Sequence, residues 1–156
     1  MLQVKHITEE GDELNIIRTL FREYEKELDA DICFQSFEAE LKDPLKKYGP
    51  PGGDLLLAFW NDEIAGCIAL TRLKEEGVCE MKRLYVRPAF RKNKIGKLLV
   101  EELLRSAKEK NYKLMRLDTL SKLQPAIRLY RHFGFLHTTP YYHNPLPDVV
   151  YMEKPL

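Results

Sequence analysis

The chain has 156 residues, 44% of them apolar and 31% charged, with a formal net charge of +1. That length suits a single domain with a real core, here expected to span residues 2–156. The near-neutral balance excludes a global field that would gather nucleic acid or an anionic membrane. Three cysteines, Cys33, Cys67 and Cys79, are odd in number and lack CxxC spacing, which argues against a disulfide framework or a zinc site. Met1 to His6 carries no long apolar stretch, so neither a signal peptide nor a membrane span is expected, and the location reads as cytoplasmic.

Leu2 to Ile7 reads as a first strand, and Thr8 to Asp12 as a turn and helix cap. From Glu13 to Leu28, apolar residues at Leu14, Ile16, Ile17, Leu20, Phe21, Tyr24 and Leu28 have helical spacing with one buried face. Phe34 to Leu41 predicts a second, shorter helix. Pro44 and the run Tyr48 to Gly53 predict a loop, because Pro and Gly end regular structure. Asp54–Trp60 and Glu63–Leu73 are strands around an Asn61-Asp62 hairpin turn, and a turn at Glu75 to Gly77 leads into the strand Val78–Val86.

A helix from about Asn93 to Lys110 buries Ile95, Leu98, Leu99, Leu103 and Ala107. Leu114–Leu120 is a strand again. Pro125 suits the first turn of a helix that runs to about Phe133 and stops at Gly134. Phe135–Thr138 and Val149–Lys154 close the sheet. The predicted order is βααβββαβαββ, an α/β (α+β) fold with a mixed, mostly antiparallel sheet of about seven strands and helices on both faces.

One stretch stands out. Between Lys82 and Lys97 lie Lys82, Arg83, Arg87, Arg91, Lys92, Lys94 and Lys97, with no Asp or Glu. Several of them sit where a helix begins, and a helix start already presents unpaired N–H groups. Each exposed cation there costs about 0.3–1 kcal/mol against the helix dipole unless an anion is bound. The local chemistry therefore asks for a polyanion with several phosphate oxygens.

Arg91 to Gly96, the strand Met81 to Pro88 before it and the segment Ala126 to Phe135 together resemble the GNAT superfamily of acetyl-coenzyme-A-dependent N-acetyltransferases. Arg91-Lys92-Asn93-Lys94-Ile95-Gly96 is placed like the family's pyrophosphate loop, Arg/Gln-x-x-Gly-x-Gly/Ala. Met81 to Pro88 is similar to the strand before it, and Ala126 to Phe135 resembles the family's A-x-x-L/F-Y-x-x-x-G-F segment. Lys94 departs from the pattern, standing where the family usually has its first Gly. A positive φ there would strain Lys, whereas a helical conformation would simply add charge near the phosphates. Leu123 stands where the family often carries an Asn.

The resemblance implies a site. Acetyl-coenzyme A is the expected cosubstrate, with no metal. The backbone of Arg91, Lys92, Asn93, Lys94, Ile95, Gly96 and Lys97 would receive the diphosphate, Arg91 adding its planar fork. Leu84, Tyr85 and Val86 would offer free backbone groups to the pantetheine arm and to the developing oxyanion, provided the strand splays from its neighbour as in the family. Tyr130 is the candidate general acid for the leaving thiolate, and Glu80 the candidate base for the amine. Period-2 alternation puts Glu80 on one face with Lys82, Leu84 and Val86. Phe34, Tyr141 and Tyr142 would line the acceptor site.

The expected activity is transfer of acetyl from acetyl-coenzyme A to a primary amine, by direct attack in a ternary complex. None of the cysteines sits in a motif suggesting an acyl-enzyme nucleophile. The acceptor stays open between a small-molecule amine, an amino acid and a protein amine. The protein would act as a monomer or homodimer, without nucleic acid or membrane as partner. The alternative is a non-catalytic acyl-coenzyme-A sensor or structural module, since fold does not fix activity.

Overall fold

The computed structural model describes residues 1–30 and 36–156. Its elements run β1 (Leu2–His6), α1 (Asp12–Leu28), α2 (Phe37–Lys42), α3 (Pro44–Tyr48), β2 (Asp54–Trp60), β3 (Glu63–Arg72), β4 (Val78–Val86), a 3₁₀ turn (Pro88–Phe90), α4 (Ile95–Glu109), β5 (Leu114–Leu120), α5 (Gln124–His132), β6 (Leu136–His137) and β7 (Val149–Pro155). The expected order is borne out with one addition. The segment from Pro44, read as loop, forms α3, because Pro44 takes the first-turn position where its missing N–H costs nothing. The helix expected from Phe34 begins at Phe37, and its expected first residues lie partly outside the described ones. Among the described residues no helix is long and apolar enough to cross a membrane.

Among the described residues, seven strands form one sheet in the order β1-β2-β3-β4-β5-β7-β6. All neighbours are antiparallel except β4 and β5, whose crossover is α4. Asn61 and Asp62 both have positive φ, 49° and 67°, as a two-residue hairpin turn with the right twist requires. Apolar side chains bury on both faces. On one, α4 and α5 cover Leu56, Ile68, Leu70, Met81, Met115 and Met152; on the other, α1, α2 and α3 cover Leu55, Leu57, Cys67, Ala69 and Tyr85.

One irregularity positions everything that follows. Cys67 pairs with Tyr85 and Ala69 with Lys82, so two residues of β3 span three of β4. That is a β-bulge, and Arg83 occupies it with φ 60°. The bulge reverses the alternation. Cys79, Met81, Leu84 and Val86 face the α4 layer, while Glu80, Lys82, Arg83 and Tyr85 do not. The expectation that Glu80 shares a face with Leu84 and Val86 is thereby corrected. Alternation holds only where no extra residue is inserted.

The strained residue is fixed by a buried ion pair. Arg83 donates from Nε to Glu40 Oε2 at 2.8 Å and from Nη2 to Glu40 Oε1 at 3.1 Å. Its guanidinium also lies over the rings of Phe37 and Tyr24, at 5.4 and 5.8 Å from their centroids. Tyr48 Oη donates a third bond to Glu40 Oε1 at 2.8 Å. Burial pushes the Glu40 carboxyl up, but Arg83, Lys47 and Tyr48 outweigh it and hold it below its ordinary range. The pair ties α2 and α3 to the bulge.

Candidate active site

The β4–β5 ladder consists of Val78↔Leu114, Cys79↔Met115 and Glu80↔Arg116, and goes no further. Beyond it both strands continue, β4 to Val86 and β5 to Leu120, without pairing to each other. The bend at the bulge opens a gap walled by Met81 to Leu84 on one side and Leu117 to Leu120 on the other. The β5-facing edge of β4 therefore has no strand partner from Met81 onward. Gly66 keeps β4 tied to β3 on its other side: a Cβ there would lie 2.4 Å from Tyr85 O.

At one end the gap meets a mostly apolar cavity of about 590 Å³, between the end of α1, the start of α4 and the face of α5. Leu84, Tyr85, Val86, Arg91, Lys94, Gly96 and Lys97 all line it, with Ala126 and Leu129 opposite. Lys94 precedes α4 in the left-handed region at φ 59°, ψ 25°, so the first of the two conformations considered for it is the observed one. No side chain caps the helix. Leu98 N–H bonds to Lys94 O at 3.2 Å, which leaves the N–H groups of Ile95, Gly96 and Lys97 without an acceptor inside the helix. A Cβ on Gly96 would meet only Leu129 and Val86, at 3.5 and 3.9 Å, so the glycine keeps cavity space that a methyl would fill.

The basic stretch does not form one patch. Lys82 and Arg83 are buried on the α1–α3 side. Arg87 pairs with Glu23 at 2.8 Å. Arg91 donates to Val86 O at 2.8 Å and through Nη2 to both oxygens of Glu27, at 2.6 and 2.5 Å. Lys94 and Lys97 stay on the cavity wall, with no ion pair among the described residues. Lys92 and Asn93 lie in the turn and not on that wall, and the Ile95 side chain enters the core. The Tyr85 ring points away to Glu23, Oη to Oε1 3.2 Å, so only its backbone addresses the gap.

Tyr130 reaches the gap from α5, its ring set edge-on against Phe135 at 6.0 Å. Burial, then the neighbouring Tyr24 and Asp118, raise its phenol well above the ordinary value. The phenol therefore keeps its proton at neutral pH.

At its other end the gap meets a charged cavity of about 650 Å³. Glu80 lies there, 5% exposed, and its Oε2 accepts from Tyr141 Oη at 2.6 Å. Tyr142 Oη donates to Asp118, which also accepts from Asn144 Nδ2 at 3.1 Å. Tyr141 and Tyr142 thus both come to this cavity, and Phe34 lies outside the described residues. Lys82 lines both the gap and the charged cavity, its Nζ 3.7 Å from Glu80 Oε1 and 3.9 Å from Asp118 Oδ1. Sequence reasoning missed Lys82, Lys47, Arg116 and Asp118 as cavity residues. The one available signal was Lys82 sharing a strand face with Glu80. The two described cysteines, Cys67 and Cys79, are free and buried, and burial pushes both thiols up, Cys79 to about 12. Neither is poised as a nucleophile.

An amide-rich helix start, a split between parallel strands and a carboxylate therefore succeed one another along β4. Comparison with known proteins bears on the family and the fold. A model of the acetyltransferase (GNAT) family matches residues 14–135. An N-acetyltransferase of Schizosaccharomyces pombe is 48% identical over 142 residues, covering 90% of this chain and 87% of the relative. A crystal structure of a GNAT-family acetyltransferase from Staphylococcus aureus has a TM-score of 0.79 at 24% identity, over 98% of this chain and 99% of that one. A GNAT-family acetyltransferase from Elizabethkingia anophelis, solved with acetyl-CoA bound, has a TM-score of 0.70 at 24% identity, over 99% and 98%.

Proposed function

The chain belongs to the acetyltransferase (GNAT) family, an acyltransferase by that membership, and on this premise we propose that it moves acetyl from acetyl-coenzyme A directly onto a primary amine in a ternary complex. One observation carries the reading: the unpaired edge of β4 joins a phosphate-suited helix start to the Glu80 cavity. The N–H groups of Ile95, Gly96 and Lys97 receive the diphosphate, with Lys94, Lys97 and a released Arg91 adding charge. The β4 edge groups at Leu84 to Val86, including the Val86 carbonyl once Arg91 releases it, hold the pantetheine arm in the gap and steady the charge that develops on the thioester oxygen.

Glu80 takes a proton from the attacking amine, directly or through water. As the carbon–nitrogen bond forms and the carbon–sulfur bond breaks, Tyr130 gives its proton to the departing sulfur. Tyr141 keeps the Glu80 carboxylate oriented from Oε2. The raised thiols of Cys67 and Cys79 favour direct attack over an acyl-enzyme. Two buried free thiols also suit a reducing, cytoplasmic setting.

Calorimetry with acetyl-coenzyme A, followed by thiol release over a panel of amines, tests the reading. Binding with turnover is expected. Binding without turnover on any amine would remove the catalytic assignment, and absent binding would remove the coenzyme path.

A further inference from the structure

We propose that the acceptor amine carries a neighbouring carboxylate, as an α-amino acid does, and that Lys82 and Lys47 hold that carboxylate beside Glu80. The inference rests on the amine-acetylating reading above and names its substrate class.

The Lys82 side chain is 5% exposed, yet its two carboxylate neighbours stand at 3.7 and 3.9 Å, beyond hydrogen-bond reach. Its ammonium makes no hydrogen bond among the described residues, although it has three protons to give. Burying an ammonium on such terms is costly without a further partner. The group lies on the wall of the charged cavity, so a bound molecule can supply that partner.

A second ammonium faces the same space. Lys47 lines the cavity, and its nearest carboxylate is Glu40, 3.7 Å away. Both Glu40 oxygens are already engaged, by Arg83 and Tyr48. Burial, and next the charge of Lys82, hold the Lys47 ammonium below its ordinary range. Two cations that repel each other across a cavity make a place for an anion.

The remaining walls do not cancel them. Arg116 has Glu75 at 3.3 Å and Glu153 at 3.5 Å, but its buried Nε makes no hydrogen bond among the described residues and so adds to the unspent donors, and Glu80 is the carboxylate that the amine needs. Lys74 adds a further cation to the wall. Glu80 and Lys82 thus present opposite charges side by side, 3.7 Å apart and not hydrogen-bonded to each other. An α-amino acid carries the mirror arrangement, amine and carboxylate on adjacent carbons. Its amine meets Glu80 and its carboxylate meets Lys82 and Lys47. A polyamine or a protein lysine side chain offers only the first half, and its extra charge meets the surplus cations.

The test measures acetyl transfer to a set of L-amino acids, each beside its decarboxylated amine and its methyl ester. The free amino acid should exceed both partners in kcat/KM by about tenfold or more, the worth of one charge-assisted hydrogen bond. Lys47→Met, at a position whose side chain is 34% exposed and that should fold, should shrink this ratio several-fold, and Lys47→Arg should keep it. Decarboxylated amines or esters that match or beat the amino acids would overturn the proposal, as would a ratio unmoved in Lys47→Met. Calorimetry of the same pairs on the coenzyme-A-loaded protein reads the preference without turnover: equal binding within each pair overturns it. A protein that binds no acetyl-coenzyme A would instead defeat the underlying transferase reading.

Discussion

The two cavities at the ends of the β4–β5 gap are built in opposite ways. The cavity assigned to the coenzyme takes its hydrogen-bonding groups mainly from the backbone, at the start of α4 and along β4, with Glu27, Arg91, Lys94 and Lys97 adding charge to walls that are mostly carbon. Residues 84–97 supply half of it in one continuous stretch. The cavity assigned to the acceptor takes its polarity from side chains, with Lys47, Lys74, Glu75, Glu80, Lys82, Arg116, Tyr141 and Tyr142 arriving from separate parts of the chain. Backbone recognition tolerates sequence change and so suits a part shared by many proteins. Side-chain recognition depends on a few ion pairs, and changes with them.

The sharpest way to break the acceptor side is to remove the pair that anchors α2 and α3. Arg83→Met leaves buried Glu40 without its hydrogen-bonded cation, with only Lys47 at 3.7 Å, a loss of about 3–5 kcal/mol. Urea unfolding should show it as a lower midpoint. The effect has a pH signature. Glu40 titrates in the folded protein below its unfolded value, so its contribution is present above the ordinary carboxylate range and fades as pH falls through the folded value. In Arg83→Met the isolated carboxyl protonates more readily, so the gap between variant and wild type should narrow on acidification toward about pH 4. A gap that stays constant would show that Glu40 is not the group left exposed by the change.

Between the two cavities stands Tyr130. Tyr130→Phe removes only the hydroxyl and preserves the edge contact with Phe135. The expected loss is about 10²-fold in kcat, the lower range for a general acid, with acetyl-coenzyme A affinity unchanged. Steady-state rates set against calorimetry separate the two. An equal loss in affinity would make the phenol part of coenzyme binding and not of proton transfer.

The contrast also explains what the sequence made legible. The strands Asp54–Trp60, Val78–Val86 and Leu114–Leu120 were readable because local apolar pattern and turn residues coincide with their ends. The helix start at Lys94 and the line of Leu84, Val86 and Gly96 were readable because they lie within one motif. The bulge at Arg83 was not. No residue type announces an inserted residue, and the partner that holds it, Glu40, lies 43 positions away. Without the bulge, alternation places Leu84 on the wrong face and hides Lys82 as the residue shared by gap and cavity. The short helix from Pro44 was lost for a related reason, since Pro signals a break or a first turn equally well.

On the coenzyme side the expected effects are smaller, because its side chains only assist. Arg91→Ala should weaken acetyl-coenzyme A by about tenfold, the worth of one charge-assisted contact, and an unaltered dissociation constant would count against its phosphate role.

Glu27 supplies the finest test. It lines the coenzyme cavity and holds the Arg91 guanidinium with both carboxylate oxygens, so a diphosphate must compete with it. Both side chains are nearly half exposed, 44% and 43%, so the pair itself contributes no more than about 1 kcal/mol. Glu27→Gln frees Arg91 and removes a negative charge facing the phosphates. Affinity for coenzyme A should therefore rise, by roughly threefold to fivefold at low salt. The gain should fall as salt is raised, since exposed charges are screened within about 10 Å at 0.1 M. In an Arg91→Ala background the same Glu27→Gln change should have a smaller effect, because no guanidinium remains to be released. A double-mutant cycle by calorimetry measures that coupling. Strict additivity would mean that Glu27 acts on the phosphates through space alone, and that Arg91 already stands free to meet them.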